Sequence, residues 1–303
     1  MTFNRRSFLG TAVSGAALVA SSGLFSSFRS ESSAPLGKKH SSKLRISCQE
    51  GVAPGSTLNE KLDFMESLGI EGLELWGGGL NNRVKEIQQA LRNRDIKVSA
   101  ICAGFEGWLI ARDAAIQKQC MESLKGIIDA AGELESTGVI FVPAFNNQPS
   151  LPDKEARSLL VGQMKELGDF AHKNKTRILL EPLNRDECYF CRQVGDGASI
   201  VRDVNSKGAA VMGDFWHMTW EETNDRGAFI SAGDYLHHVH IASRKRRKMP
   251  GEDGDADNYI NGFRGLKEIN YQDYVSFECG SVGDAKFTLP AAVKLMREQW
   301  KKA

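Results

Sequence analysis

Apolar residues along this chain gather in eight short runs separated by longer amphipathic stretches. The runs are Leu44–Gln49, Gly72–Trp76, Lys97–Ala103, Val139–Pro143, Arg177–Glu181, Ala210–Asp214, His238–Ile241 and Tyr274–Glu278. Short and rich in strand-forming residues, they read as β-strands. Between them, Leu58–Leu68, Val84–Asn93, Ala114–Leu134 and Glu155–Lys173 carry apolar residues three and four apart, the spacing of one helical face. Ala198–Asn205, Ala228–Tyr235, Tyr259–Ile269 and Leu289–Lys301 repeat the pattern over shorter spans. Alternation of strand and helix means parallel strands joined by right-handed crossovers. Eight such units predict an α/β fold in the form of a closed (β/α)8 barrel, with an open doubly wound sheet as the competitor. Against the open sheet, no Gly-x-Gly-x-x-Gly follows the first strand. Gly77-Gly78-Gly79 follows the second and lacks the Lys-Ser/Thr of a phosphate loop. It reads equally as a close approach of backbone at the barrel mouth or as a plain turn.

The pattern changes before the first strand. Asn4-Arg5-Arg6-Ser7-Phe8-Leu9-Gly10 precedes a small, apolar run from Thr11 to Phe25. A basic start, a short apolar run and then small residues is the order of a secretory signal. Arg-Arg one residue before Phe-Leu makes it look like a twin-arginine (Tat) signal, a receptor-read address; an uncleaved anchor is the alternative. Cleavage is expected between Ala20 and Ala34, and the Ser-rich, basic stretch from Ser26 to Ser42 reads as a linker. The expected organisation is a signal over 1–34, a linker over 35–42 and one barrel domain over 43–303, exported by Tat to the periplasm. No later stretch approaches a membrane-spanning length, so stable membrane insertion is not expected.

Charge narrows the partners. With 39 Lys and Arg against 38 Asp and Glu, the formal net charge is +1, which argues against nucleic acid. The densest basic run, Arg244–Lys248, is local and reads mostly as a solvated loop. Six cysteines do not make a disulfide scaffold in a chain this long. Cys48, Cys102 and Cys279 read as small buried residues of strands. Cys188-Tyr-Phe-Cys191 is a lone pair, for which a local disulfide is a better reading than a metal site.

Candidate chemistry sits at the carboxyl ends of strands five to eight: Glu181, Asp214, His240 and Glu278. A buried carboxylate costs several kcal/mol unless it is paired or bound to a cation. A (β/α)8 barrel would bring these ends to one face, where such barrels keep their chemistry. Along the seventh strand, side-chain alternation puts His238 on the side of His240 and His237 on the other.

Glu181-Pro-Leu-Asn-Arg-x-Glu187, Asp214-x-x-His217-Met-x-x-Glu-Glu, His238-x-His240-Ile, Pro250-Gly-Glu-x-Gly and Ser276-Phe-Glu278 follow in that order. Together they resemble the xylose-isomerase-like TIM barrel superfamily, and within it the sugar isomerase and epimerase branch with the ketohexose 3-epimerases and hydroxypyruvate isomerases. The resemblance runs from about Lys43 to the carboxyl terminus. It implies that Glu181, Asp214, His240 and Glu278 bind one divalent ion, Mn2+ or Mg2+ first, with Co2+ or Zn2+ also able to bind. It implies a small carbohydrate substrate and proton abstraction beside a carbonyl, through an enediolate that the ion stabilises. Glu181 and Glu278 would be the catalytic pair, one on each sugar face. Glu187 and His217 match positions that hold substrate hydroxyls; the alternatives are a salt bridge to Arg185 for Glu187 and a helix-terminal surface position for His217. The family's Arg before Pro-Gly falls on Arg247 counted from Pro250 and on Arg246 counted from His240. Ser243 replaces the usual acidic residue, and Cys191 and Arg192 stand where many relatives carry Asn. Trp76, Trp108 and Phe215 fall near strand ends, where they would either wall a sugar ring or pack in the core.

Four functions fit these observations. The first is a metal-dependent isomerase or epimerase of an unphosphorylated sugar. The second is a lyase that eliminates the aglycone of a 3-keto-glycoside with the same metal and glutamate base. The others are a multi-zinc phosphodiesterase, for which these strand ends offer too few histidines, and a non-catalytic sugar-binding protein. A homo-oligomer is compatible with all four.

Overall fold

The structure, a computed structural model, describes residues 42–303. The twin-arginine motif and most of the linker lie outside the described residues. Eight parallel strands close in sequence order: β1 (Arg45–Gln49), β2 (Gly72–Trp76), β3 (Lys97–Cys102), β4 (Val139–Phe141), β5 (Ile178–Leu180), β6 (Ala209–Asp214), β7 (Leu236–Ile241) and β8 (Tyr274–Phe277). The last pairs back on the first, Val275 against Ile46. This is the (β/α)8 barrel that the alternation predicts, a TIM barrel, and not an open sheet.

The helices around it are α1 (Leu58–Ser67), α2 (Val84–Leu91), α3 (Ala114–Glu133), α4 (Asp153–Lys173), α5 (Val194–Val204), α6 (Phe215–Glu221), α7 (Asp225–Ala232), α8 (Ile260–Glu268) and α9 (Ala285–Lys302). Their starts are set by side chains that accept a first-turn N–H: Thr57, Asp113, Asp214, Asn224 and Asp284. Each such cap contributes about 1 kcal/mol. They also explain where the sequence reading slipped. The apolar spacing predicts a helix from Leu289, but the Asp284 cap starts α9 four residues earlier, with Pro290 inside it. Helix α6, one short helix wedged between β6 and α7, has too few residues to show a period.

Two cores follow from the two faces of the strands. Side chains pointing outward pack against the helices; one part is an edge-to-face group of Phe215 with Phe229, Tyr259 and Phe263, centroids 5.3, 5.3 and 5.8 Å apart. Phe215 is therefore core and not a sugar wall. Inside the barrel, Ala100, Cys102, Ile140, Leu179, Ala210 and Met212 form a separate small cluster. A floor of hydroxyls, Ser47 with Ser99 at 2.5 Å and Ser276 with Ser47 at 3.2 Å, lies in the same lumen. Strand residues two steps further toward the carboxyl ends include Glu181, Asp214, His240 and Glu278, so the polar donors crown this apolar layer.

The Gly77–Gly79 turn is a site of close backbone approach. A Cβ on Gly77 would stand 2.2 Å from the Ala103 carbonyl, and one on Gly104 would stand 2.0 Å from the Gly78 nitrogen. The basic run is not wholly solvated either. Arg244 is buried, pairs with Asp225, donates to the Phe215 carbonyl at 2.7 Å, and lies over the Phe215 and Tyr259 rings. All six cysteines are free thiols in the structure, Cys188 and Cys191 included. Among the described residues, no helix is long and apolar enough to cross a membrane.

Candidate active site

Strand register assembles the site. Asp214 of β6 lies opposite His240 of β7, and His240 lies opposite Ser276 of β8, two residues short of Glu278. Glu181 directly follows β5, where its N–H donates to the Phe141 carbonyl at 3.0 Å. Donor atoms of Glu181, Asp214, His240 and Glu278 all fall within 4.8 Å of one another. Donors each about 2.1 Å from a shared ion stand up to about 4.2 Å apart, so the cluster is close to one coordination sphere. His240 Nδ1 is 2.9 Å from Glu278 Oε2 and 3.6 Å from Glu181 Oε1.

Three observations fit a cation here. Glu181 Oε1 and His240 Nδ1 are buried without a hydrogen-bond partner, which is costly unless something else occupies them. Asp214 divides its oxygens: Oδ1 accepts from Trp216 N at 2.8 Å and caps α6, which leaves Oδ2 for the cluster. The charge balance is negative as well. Glu74, Glu181, Asp214 and Glu278 face Arg247 and the imidazoles of His217, His238 and His240, so with Arg247 and His240 alone cationic, negative charge remains.

The two glutamates at the centre differ electrostatically. Burial would raise Glu278, but the charge of His240, followed by that of Arg247, holds it down to about 2. Burial pushes Glu181 up; the nearness of His240 opposes this, and the charge of Glu278 adds to it. His240 is itself raised, because the charges of Glu278 and Glu74 override the effect of burial.

Around this centre, Arg247 reaches inward. Its Nη2 is 3.2 Å from Asp214 Oδ2, pairs with Glu278, and its guanidinium lies 4.6 Å from the centroid of the Trp216 ring. Its backbone takes a left-handed φ of 52°, a strained turn for a non-glycine residue. Arg246 goes elsewhere: it pairs with Asp253 at 2.6 Å and is half exposed, so the one-residue ambiguity resolves toward Arg247. His217 is buried; Nδ1 accepts from Asn184 N at 3.1 Å, which makes Nε2 the protonated nitrogen, 3.5 Å from Asp214 Oδ2. Glu187 accepts from Asn184 Nδ2 at 3.2 Å. It does not pair with Arg185, whose partner is Glu221 at 2.8 Å. Trp108 lies in the loop after β3, with its indole N–H buried and without an acceptor. Trp76, at the carboxyl end of β2, is 60% exposed.

One residue of this neighbourhood escaped the sequence reading. Glu74, fully buried in β2, hydrogen-bonds His240 Nε2 at 2.9 Å and His238 Nε2 at 2.8 Å, and accepts from Gln49 at 2.7 Å. The signal was available: an acid between Leu73 and Leu75 in the middle of an apolar strand. His238 does point inward with His240, while His237 faces out and pairs with Asp273 at 2.7 Å.

Comparison with known proteins places the chain. Residues 62–299 match the family described as xylose isomerase-like TIM barrel. A 3-dehydro-D-guloside 4-epimerase of Escherichia coli K12 is 28% identical over 244 residues, covering 78% of this chain and 92% of the relative. An L-ribulose 3-epimerase of Methylomonas sp. is 31% identical over 169 residues, covering 55% of this chain and 58% of the relative. Among solved structures, the apo 3-keto-D-glucoside 4-epimerase of E. coli superimposes with a TM-score of 0.77 at 25% identity, over 84% of this chain and all of that one. A D-psicose 3-epimerase solved with D-fructose gives 0.75 at 18% identity, over 85% of this chain and 99% of that one, which speaks for the fold alone. The chain is an enzyme that belongs to the xylose isomerase-like TIM barrel family.

Proposed function

We propose that this protein epimerises a keto-sugar or keto-glycoside by proton transfer at a carbon beside the carbonyl, with a divalent metal held by Glu181, Asp214, His240 and Glu278. The observation that carries the reading is the pair Glu181 and Glu278: two carboxylates at the ends of β5 and β8 whose donor atoms share one cluster with those of Asp214 and His240. A carboxylate on each side of a sugar carbon can take a proton from one face and return one from the other. Glu278 takes the proton from carbon. The C–H electron pair moves into a carbon–carbon double bond, and the carbonyl oxygen gains negative charge. Glu181 returns a proton from the other face of the sugar; the double-bond electrons form the new C–H bond, and the electron pair on oxygen re-forms the carbonyl. The metal would supply a Lewis acid for the developing oxyanion. Arg247 and the Nε2–H of His217 sit where they can orient substrate oxygens beside the carboxylates.

The Escherichia coli relatives act on keto-glycosides, and their similarity spans most of this chain, which favours that class over free ketoses. It also supports a second reading. A 3-keto-glycoside enolised toward C2 has a leaving group at C1, so the same base could expel the aglycone. Deuterium oxide separates these outcomes. With added Mn2+, the protein should place deuterium beside the carbonyl of a 3-keto-glycoside and invert that carbon. Aglycone release would replace epimerisation with elimination, and absence of exchange with every ketose and keto-glycoside tried would overturn both.

Export remains part of the proposal. Arg5→Lys with Arg6→Lys should leave the protein in the cytoplasm, read by cell fractionation, while protein lacking residues before Ser42 should still fold. Aggregation of the truncated protein would make the leader structural.

A further inference from the structure

Behind the four donors lies a buried chain that none of the chemistry above uses. Glu74 projects from β2 into the lumen and meets β7, three strands away through β8 and β1. Both of its oxygens are engaged. Oε1 is 2.7 Å from Gln49 Nε2 and 2.9 Å from His240 Nε2; Oε2 is 2.8 Å from His238 Nε2 and 3.1 Å from His240 Nε2. All three of Glu74, His238 and His240 are fully buried.

We propose that Glu74 is the positioning residue of the site: it fixes the proton of His240 on Nε2 and so presents Nδ1 to the other donors, with Gln49 and His238 holding Glu74 in place. An imidazole ligand needs one nitrogen free of its proton, and the hydrogen bond made by the other nitrogen decides which. Here Nε2 donates to a carboxylate, while Nδ1 faces Glu278 and Glu181 without a hydrogen bond. A carboxylate behind a metal-bound histidine fixes the ring and raises its basicity, and losing it typically weakens metal binding about 10- to 100-fold. The strand pattern explains why an acid is tolerated in β2 at all: alternation aims it at the lumen between two outward leucines.

A rival arrangement uses the same atoms. Glu74, Cys102 and His240 offer donors within 4.8 Å of one another, enough for a second ion on the far side of the imidazole. The hydrogen bonds argue against it, since an ion on Nε2 would displace the proton that Glu74 accepts. Cys102 also has another partner, with its Sγ 3.7 Å from Glu278 Oε1.

The inference rests on the proposed metal reading, and the test keeps the two apart. Metal-stripped protein is titrated with Mn2+ against a fluorescent chelator. Wild type should bind one ion per chain. Glu74→Gln keeps the side-chain shape and should bind about 10- to 100-fold more weakly, with an unchanged melting temperature in the metal-free state. His237→Asn, on the same strand but facing out, should bind as wild type does. If wild type binds nothing, the functional reading fails. If wild type binds and Glu74→Gln binds equally well, Glu74 positions nothing; two ions per chain would establish the rival site. Should Glu74→Gln not fold, ring-nitrogen NMR of cadmium-loaded wild type decides: coupling to the metal is expected at His240 Nδ1 with the proton on Nε2, and coupling at Nε2 would overturn the assignment.

Discussion

Glu278→Gln, reloaded with excess Mn2+, should lose turnover by about 10²- to 10⁴-fold, the usual contribution of a positioned acid or base. Glu181→Gln should lose epimerisation by a similar factor but in a different way. Glu278 remains able to take the proton and give it back on the same face. Deuterium from solvent should therefore still enter the substrate carbon while inversion stops. In Glu278→Gln, exchange from that face should stop as well. The surroundings of the two differ: the charges of His240 and Arg247 hold Glu278 low, whereas burial, with the charge of Glu278 adding to it, raises Glu181. Both side chains are also metal donors in the proposal, so occupancy has to be measured alongside rate. Near-wild-type turnover in both loaded variants would remove the pair from the chemistry. Loss confined to Glu278→Gln would favour a single-base elimination or isomerisation.

The barrel was legible because its signal is global. Eight apolar runs separated by amphipathic stretches leave few topologies, and local errors at strand or helix ends do not change the count. The four donors were legible for a related reason. An acid or histidine closing an apolar strand is costly without a partner, and four in a row on β5 to β8 converge only if the sheet closes. Depth inside the lumen was harder to read. Glu74 bears the same energetic signature as Glu181, but it sits in mid-strand, where no strand-end rule points to it. Its partner histidines come from β7, 164 and 166 residues away. The basic loop was harder still. Arg244, Arg246 and Arg247 are alike in sequence, yet one is buried against Phe215 and Tyr259, one pairs with Asp253 at the surface, and one enters the site. What separates them is a left-handed turn at Arg247, and no residue there announces it. Phe215 is the converse case: a ring beside a site residue that turns away because α6 begins at once and carries it into the helix layer.

Asp214→Asn should separate the metal's need for charge from the fold's need for a cap. Asn is as good an N-cap as Asp, so the bond to Trp216 N and the start of α6 should survive, whereas Asp214→Ala should also lose about 1 kcal/mol of helix stability. Either change removes one negative charge from a cluster that already holds too many. The metal-free Asn variant should therefore melt no lower than wild type. Its affinity for Mn2+ should nevertheless fall about 10-fold or more, by analogy with the loss seen when even an outer carboxylate is removed. Binding to the folded state alone adds about 2.7 kcal/mol of stability when the ion is at a hundred times its Kd, and this shrinks as Kd rises. At a fixed Mn2+ concentration, the gap between the metal-loaded and metal-free melting temperatures should thus be wide in wild type and narrow in Asp214→Asn. An equal gap in the two proteins would mean that Asp214 serves α6, Arg247 and His217 but not the ion, and the proposed four-donor site would lose its β6 member.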